Sequence, residues 1–570
     1  MERNDILILD IETNSLDIDK AKLKWFGAYS YLDKEYYLLP YTKMDEIKKL
    51  LTRHSVIIGF NQIEFDNPII ERETKIELSY NKKTNIDMLE VCRKRLVNMG
   101  IEIKDFKLKT ICETLKLDEF GKGDIDYKIF YKNKWNKEEI IEIKKYLKQD
   151  IILTKSLFEY IQKIFEPLRK YLSEKDKRKF VDVKSSVASL ACSVISNIAN
   201  IPIEWTKHKP EELERFSGGH HIESRIPMIK GNIVSIDFVS AYPHAIIMGN
   251  LLSPIEKGWN GNKYYNLKGI YDNKTQGKVE LALKKIFLER LQAKQNKEKE
   301  KNLSYKIIIN SFYGLIGNWS FKNFYNPTAA GDVTKIVRTW LKYLSSILEH
   351  YGYKILYGFT DNIYVLIPED KTEDDLMIIV NKFINKIKDN ISFPQDTFKL
   401  DIEKRIKFMW FVAKNCYLWV NNEDKVEYTS TLLNTNTPKI IMKVFNEYMS
   451  DKMIKELNIN FTEEELTLKI KEFLKDDVLL SCEEYDVKNV KEYKVKTSLQ
   501  HQISEKYGEG RHFLIPNTKG IGIGKSKSTK KKIGVRYCSL KEYKKNNLVI
   551  DDIDISKLIK WLKSFIEKTK

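Results

Sequence analysis

Two aspartates frame the chemistry that this chain could perform. The run Ile233-Val234-Ser235-Ile236-Asp237-Phe238 is apolar and β-branched up to a single carboxylate, and Ser240 to Pro243 then break it. It reads as a buried strand, with His244-Ala245-Ile246-Ile247-Met248 continuing as a helix. An acid at the end of such a strand is costly to bury alone and needs a counter-charge, most simply a metal ion. A lone Asp237 would read as a helix cap. A second acid, Asp361, stands at the tip of a tight turn between two apolar strands in Tyr357-Gly358-Phe359-Thr360-Asp361-Asn362-Ile363-Tyr364-Val365-Leu366. Between the two, Lys306, Asn310 and Tyr313 recur at the spacing of one helix face. Two acids for divalent metal, with an ammonium and an aromatic ring on a nearby helix, are what nucleotidyl transfer requires. One cation activates the attacking hydroxyl, another holds the triphosphate, and positive side chains offset charge on the leaving group.

A second acidic constellation lies upstream. Ile6-Leu7-Ile8-Leu9-Asp10-Ile11-Glu12-Thr13 is an apolar strand ending in two acids that project to the same side. Val56-Ile57-Ile58-Gly59-Phe60-Asn61 is another buried strand, followed by Phe65-Asp66. From Glu138 to Tyr160 the periodicity is helical, placing Tyr146 and Asp150 one turn apart. Any one of these acids alone would read as a solvated surface or a cap. Together, Asp10, Glu12, Asp66 and Asp150 could bind two metal ions and hydrolyse a terminal phosphodiester.

The elements that must position these groups need several domains, because 570 residues exceed one hydrophobic core. A hydrophobic content of 42% supports globular packing, and 31% charged residues argue against membrane residence. No stretch approaches a transmembrane span, and the first residues lack a signal-peptide pattern. The formal net charge of +18 fits a polyanionic partner. Six scattered cysteines without a Cys-x-x-Cys pair argue against zinc ribbons and disulfides, and for a reducing, intracellular setting. His220-His221 has no neighbouring cysteines or spaced acids and is set aside as a metal site.

The stretches around Asp237, Lys306 and Asp361 resemble motifs A, B and C of family B DNA polymerases, in the family's order. Those around Asp10, Asp66 and Asp150 resemble the three exonuclease motifs of proofreading polymerases. The resemblance implies that Asp237, Asp361 and Phe238 hold the polymerase metals, and that Tyr242 selects deoxynucleotides by clashing with a ribose 2′-OH. It assigns the incoming triphosphate to Arg290, Lys294 and Lys306, with Asn310 and Tyr313 beside the nucleotide. In the exonuclease, Asp10, Glu12, Asp66 and Asp150 would hold metal and Tyr146 would orient the attacking water. Thr13, Asn61 and Phe65 would grip the frayed 3′ end by hydrogen bonding and stacking. Gly121-Lys122-Gly123-Asp124-Ile125-Asp126-Tyr127 reads either as a polar turn or, as in small phage polymerases, as a lysine (Lys122) aimed at the scissile phosphate. Phe216-Ser217-Gly218-Gly219 resembles the family's Tyr-x-Gly-Gly element at template DNA, with stacking kept and a hydroxyl lost. Lys414 and Tyr417 resemble part of the primer-gripping Lys-Lys-x-Tyr element, and Asn415 replaces a lysine. Thr360 is assigned to DNA with them. Phe359 and Asn362 replace an aspartate and a serine of the usual motif C, which bears on metal preference and rate. Ala241 replaces the usual leucine before Tyr242.

The fold implied is α+β and multidomain: an RNase-H-like exonuclease domain followed by a right-hand polymerase of palm, fingers and thumb. The expected divisions are exonuclease 1–165, connector and start of palm 166–232, palm with motif A 233–283, and fingers 284–335. Palm with motif C and primer grip follows at 336–420, then thumb and C-terminal region at 421–570. Ile161 to Asn200 is expected to be a solvated helical connector that also touches phosphate. Lys284 to Lys301 is expected to be one basic helical run, with Arg290, Lys294 and Lys297 sharing a face. From about Asn421 the chain is expected to be helical and basic. With the first acid at Asp10, no extra N-terminal domain is expected.

The leading function is a DNA-directed DNA polymerase with 3′→5′ proofreading, using two Mg²⁺ or Mn²⁺ ions per active site. Its partners would be primer–template DNA and dNTPs. A monomer in the cytoplasm is expected, in the host's if the protein is viral. A protein-primed phage-type polymerase, with a terminal protein or accessory replication factors as partners, is the alternative. Only about 70 positions separate Asp237 from Lys306, and about 55 separate Lys306 from Asp361. Those spacings are close to loop lengths without the insertions of protein-primed enzymes, which favours a nucleic-acid primer. A third reading, prompted by Phe359, is an exonuclease or single-strand binder with a weakened polymerase site.

Overall fold

Strand β1 (Ile6–Thr13) has the buried apolar start that its sequence predicts. It lies at the centre of a five-stranded sheet of order β3-β2-β1-β4-β5, with β2 at Leu23–Ser30, β3 at Glu35–Pro40, β4 at Val56–Gly59 and β5 at Thr84–Asp87. β1 runs antiparallel to β2 and parallel to β4, and β4 runs parallel to β5. Parallel neighbours need crossovers, here the helices Met44–Arg53 and Asp66–Thr74. The computed structural model describes residues 5–562 except 79–81, 97–98, 100, 102, 104–105, 118–124, 175–176, 178–180, 207–208, 210–215, 220, 223–227, 414–415, 430–438, 458–459, 488–489, 491–497, 509, 520, 524–535, 557 and 561. Lys122, His220, Lys414, Asn415 and the basic run at 525–532 therefore lie outside the described residues.

The long helix Lys137–Phe165 packs on β1 and β2. It opens with a capping box: Asn136 Oδ1 accepts the Glu139 N–H (2.8 Å), and the Glu139 carboxylate accepts the Asn136 N–H (3.0 Å). Its buried stripe includes Ile143, Leu147, Asp150, Ile151, Thr154 and Leu157. Asp150 therefore belongs to the face turned inward. The helix approaches β2 across Gly27, where an added Cβ would lie 2.6 Å from both Leu147 and Ile151 side chains. Gly27 is also the residue paired with Asp10 across the β1–β2 ladder.

By its contacts the chain forms two compact units. One contains residues 1–218, 240–337 and 388–396, and the other residues 219–239, 338–387 and 397–570. In the first, helices Lys278–Gln295 and Lys299–Ile316 pack on one another, on Val187–Ala199 and on Ala241–Gly249. The second is built on a seven-stranded sheet of order β13-β12-β11-β7-β10-β9-β6. Its middle strand, β7 (Met228–Phe238), is antiparallel to β10 (Asn362–Leu366) and β11 (Leu400–Ala413). β10 pairs with β9 (Lys354–Phe359), and β9 with β6 (His221–Ile222). Beyond β11 come β12 (Cys416–Asn421) and β13 (Val426–Tyr428). The Phe238 ring is buried against Trp340, Phe383 and Phe398.

Three expectations need correction. The basic run at Lys284 to Lys301 is two helices, not one. The chain turns at Asn296 to Glu298, with Lys297 in the left-handed region (φ 59°). Lys297 therefore leaves the face of Arg290 and Lys294, because the apolar stripes of the two helices can meet only if the chain reverses. The polar, lysine-rich run Lys294-Gln295-Asn296-Lys297-Glu298-Lys299 has neither Gly nor Pro to mark that turn. The connector is not all solvated. Val187–Ala199 is largely buried, since the two long helices rest on it. Past Asn421 the chain is not simply helical: β13 lies there, and β14 (Glu483–Val487), β15 (Gly510–Asn517) and β16 (Arg536–Cys538) form an antiparallel sheet. Its strands are short and far apart in sequence, so local pattern does not disclose their pairing. Among the described residues no helix is long and apolar enough to cross a membrane.

Gly27→Val should destabilise the chain by about 1–3 kcal/mol, the usual effect of overpacking a closed core. Gly27→Ala should cost less. Denaturant unfolding of both variants checks this, and a Val variant as stable as wild type would contradict the helix-on-strand packing.

Candidate active sites

The N-terminal acids converge. Carboxylate oxygens of Asp10, Glu12 and Asp150 all lie within 4.8 Å of one another. β1 delivers the first two from alternate positions, and the inward face of helix Lys137–Phe165 delivers the third. Glu12 and Asp150 are buried, so their mutual repulsion is weakly screened. β1 ends in a register shift between Glu12 and Thr13, an irregularity that re-aims side chains at strand ends. Such an all-oxygen, negatively charged donor set fits a hard divalent cation.

Asp66 is buried beside this group and not within it. Its Oδ1 accepts the main-chain N–H of Ile11, between Asp10 and Glu12, at 3.3 Å. Burial raises its carboxyl above the usual range despite that bond. Tyr146 shares its helix with Asp150, and its hydroxyl is 2.9 Å from that of Tyr127. Burial, the Asp150 charge and the Tyr127 hydroxyl all hold Tyr146 protonated. Thr13 Oγ1 donates to the Ser15 carbonyl at 2.7 Å. Asn61 stands in the left-handed region (φ 62°), and half-buried Phe65 precedes helix Asp66–Thr74.

One residue that sequence reading missed organises that corner. Asp87, at the end of β5, is buried and accepts N–H groups from Asn61 (2.9 Å), Ile63 (3.1 Å) and Leu89 (2.9 Å). It thereby fixes the Asn61 turn and caps helix Met88–Arg95. The signal was available, since Asn85-Ile86-Asp87 repeats the pattern of a strand ending in an acid.

In the second unit, Asp237, near the end of β7, lies close to Asp361 in the turn that leads into β10. Asp237 pairs in register with Asn362 on one side and Asp401 on the other. The Phe238 N–H donates to the Asp361 carbonyl at 3.0 Å. Since the Phe238 side chain is turned into the core, only its main chain could serve as a ligand. Burial pushes the Asp237 carboxyl up to about 7, with the charges of Asp361 and Glu403 adding to the shift. Burial likewise raises Asp361 to about 6, with Glu403 adding. Crowded acids held this high lack neutralising charge, and a bound cation would supply it. Glu403 sits at a register shift between Ile402 and Lys404. Asp401 is ion-paired with Lys399 (2.7 Å). The Asp401-Ile402-Glu403 tripeptide repeats Asp10-Ile11-Glu12, a likeness that could have marked Glu403 as a neighbour of Asp237 and Asp361.

Thr360, at the tip of the turn, is left-handed (φ 58°). Gly219 lies directly against it: a Cβ there would be 3.0 Å from Thr360 Oγ1. At Gly218 such a Cβ would meet no atom within 4 Å among the described residues. Phe216 is partly buried, its ring against Gly317 and its Cβ against Gly331. Tyr417 is buried in an aromatic cluster with Tyr357, Tyr364 and Phe411, its hydroxyl 3.4 Å from that of Tyr364. Phe359 packs against the same cluster.

In the first unit, Lys306 and Asn310 are exposed and Tyr313 half-buried along one face of helix Lys299–Ile316, as the spacing predicts. The Tyr242 ring stacks on Tyr313, centroids 4.7 Å apart and planes at 28°. Arg290 is partly buried and donates to Ser240 Oγ (2.9 Å) and Asn302 Oδ1 (3.4 Å). Ser240 is left-handed (φ 56°) and opens helix Ala241–Gly249. Lys294, one turn beyond Arg290, is exposed.

Comparison with known proteins accords with this geometry. Residues 269–512 match the model of DNA polymerase family B, and residues 7–162 match that of the RNase H superfamily. A DNA polymerase of Archaeoglobus fulgidus is 24% identical over 407 residues, covering 65% of this chain and 49% of that protein. A DNA polymerase of Pyrococcus glycovorans is 27% identical over 412 residues, covering 65% and 52%. DNA polymerase II of Escherichia coli is 23% identical over 205 residues, covering 34% and 26%. The chain thus spans about half the length of the two archaeal relatives. The structure of the family B DNA polymerase from Pyrobaculum calidifontis aligns with a TM-score of 0.60 over 99% of this chain and 77% of that one, at 15% identity, which is a likeness of fold. An RNase-H-like region thus precedes a region of DNA polymerase family B type that includes Lys306 and Asp361, and that is the family this chain resembles.

Proposed function

We propose that this protein is a DNA-directed DNA polymerase with 3′→5′ proofreading exonuclease activity, extending a nucleic-acid primer with dNTPs. The observation that carries the reading is the approach of Asp237, near the end of β7, to Asp361, in the turn that leads into the neighbouring β10, both raised by burial among like charges. Such a pair suits Mg²⁺ or Mn²⁺, two per site, with the Phe238 main chain as a further ligand. Divalent cations held there would favour ionisation of the attacking 3′ hydroxyl and offset charge on the departing pyrophosphate. Arg290, Lys294 and Lys306 neutralise the triphosphate, Arg290 as a planar fork and the lysines as point charges. Asn310 and Tyr313 continue that face. Gly218, with no side chain of its own in the way, lets DNA approach the backbone, while Phe216, Gly219, Thr360, Lys414 and Tyr417 serve the template and primer strands.

In the exonuclease domain, Asp10, Glu12, Asp66 and Asp150 hold the cations. Tyr146, kept protonated by its surroundings, keeps that proton and orients the attacking water by hydrogen bonding. Thr13, Asn61 and Phe65 hold the frayed end, and Lys122 offers a charge to the scissile phosphate. The domain divisions expected from sequence are the ones proposed. The short spacings between motifs A, B and C favour a nucleic-acid primer over a terminal protein.

Asp237→Asn or Asp361→Asn should abolish primer extension and leave digestion of single-stranded 3′ ends intact, while Asp10→Ala with Glu12→Ala should do the reverse and raise misincorporation. Extension on a DNA primer–template and digestion of single-stranded DNA, measured on the same preparations, test both arms. Near wild-type extension by either aspartate variant would sink the polymerase reading.

Gly219→Ala should slow extension and spare the exonuclease, because the new methyl presses on Thr360 and displaces the neighbouring Asp361. Gly218→Ala, with no such contact, should slow extension only if DNA passes there. A wild-type extension rate for Gly219→Ala would show that the turn yields without consequence.

Tyr242→Ala should relax sugar discrimination. A 2′-OH against the stacked Tyr242 ring is overpacked by about 1–3 kcal/mol, so roughly 10–100-fold of selectivity rests on it. The ratio of kcat/KM for one deoxynucleotide to its ribonucleotide counterpart measures this, and an unchanged ratio would remove Tyr242 from the sugar site.

A further inference from the structure

The residue just before Arg290 carries more hydrogen bonds than a surface glutamate on a helix needs. Glu289 Oε2 accepts from the Lys170 ammonium at 2.7 Å and from the Tyr305 hydroxyl at 2.7 Å, and Oε1 accepts from the Tyr171 hydroxyl. These donors come from two other elements. Tyr305 lies on helix Lys299–Ile316, one position before Lys306. Lys170 and Tyr171 end the short 3₁₀ helix Glu166–Tyr171, which follows directly on the helix that carries Asp150. Burial alone would raise the Glu289 carboxyl, but the three donors outweigh it and hold it below its ordinary value, hence ionised.

The arrangement has direction as well as strength. Tyr305 is wholly buried, and a buried phenol must find a partner. Glu289 is that partner. Arg290, turned elsewhere, donates to Asn302, one turn before Tyr305 on the same helix. Two successive residues of one helix thus tie to positions 302 and 305 of the next, and the cations Arg290 and Lys306 each stand beside one tie. The Tyr171 ring adds to the anchor, with the Lys170 and Lys285 ammoniums 4.7 Å and 5.5 Å from its centroid. A charge-assisted cluster of this kind is stronger and more directional than helix packing alone.

We propose that Glu289 is a positioning residue for nucleotide binding: by joining helices Lys278–Gln295 and Lys299–Ile316 to the Glu166–Tyr171 turn, it sets the Arg290 guanidinium and the Lys306 ammonium at the separation a triphosphate requires. The inference rests on the assignment of Arg290 and Lys306 to the triphosphate. Glu289 touches no substrate, so its contribution is to affinity for the incoming nucleotide.

The test is primer extension by the full chain over a range of dNTP concentration, with digestion of single-stranded DNA by the same preparation as the control for folding. Glu289→Ala should raise the KM for dNTP about tenfold, the scale of losing hydrogen bonds to a charged group, with kcat and exonuclease rate little changed. Glu289→Gln, which keeps an acceptor, should recover part of the loss. Tyr305→Phe should shift KM in the same direction, and the double variant should be no worse than Glu289→Ala alone. If Glu289→Ala does not fold, Tyr305→Phe decides the matter. An unchanged KM overturns the proposal, and so does a fall in extension and exonuclease activity in equal proportion, which marks a purely structural clamp. Arg290→Ala separates the two levels. If it leaves KM unchanged, the triphosphate assignment itself fails; if it raises KM while Glu289→Ala and Tyr305→Phe do not, only the role of Glu289 is lost.

Discussion

Carboxylates brought close together away from water repel one another, and most of the described architecture serves to hold them so. Asp10, Glu12 and Asp150 converge within 4.8 Å. Asp237, near the end of β7, and Asp361, in the turn before β10, are both raised by Glu403. Neither group would persist on a pliant backbone, since the repulsion would be relieved by small movements into solvent. Each is instead anchored by a sheet strand with a buried apolar run, β1 for Asp10 and Glu12 and β7 for Asp237, against which a packed helix or a tight turn brings the remaining acid. The remaining like charge is what makes both places receptive to cations.

The supporting main chain is itself held in costly conformations. Asn61, Ser240 and Thr360 are all left-handed, at φ 62°, 56° and 58°. Non-glycine residues in such regions cost roughly 1–3 kcal/mol each and persist only where surroundings enforce them. The enforcing contacts differ. Asp87 gathers the N–H groups around Asn61, the Arg290 guanidinium meets Ser240, and Gly219 leaves just enough room for Thr360. Charged or absent side chains thus shape the backbone beside each set of candidate ligands. The Glu289 cluster extends the same logic to the helices that bear the cations.

The departures from the family pattern at motif C can be read in these terms. Phe359 exchanges a carboxylate for a ring that packs against the aromatic cluster of Tyr357, Tyr364 and Tyr417. Asn362, paired in register with Asp237, keeps a buried Oδ1 for which the described residues supply no hydrogen bond. The turn therefore carries one acid, Asp361, and a ring packed beside it. Asp361 remains where its main-chain carbonyl receives the Phe238 N–H.

Much of the candidate machinery was legible from sequence because it depends on local periodicity. Acids at strand ends, the shared face of Lys306, Asn310 and Tyr313, and the pairing of Tyr146 with Asp150 follow from two repeats, two residues for a strand and 3.6 for a helix. Those repeats act within a few residues and survive without knowledge of the rest of the chain. The exonuclease-type and polymerase regions were told apart by the resemblance of their motifs to those of a known family, not by these repeats. What tertiary structure alone decided is which distant groups meet. Asp87 reaches a turn 26 positions upstream, Glu289 binds Lys170 across 119 positions, and β14, β15 and β16 pair across long intervals. The reversal at Lys297 and the burial of Val187–Ala199 belong here too, since both result from helices closing on one another. Charge and spacing are properties of the string, whereas repulsion, burial and hydrogen bonding between remote residues exist only once the chain has folded.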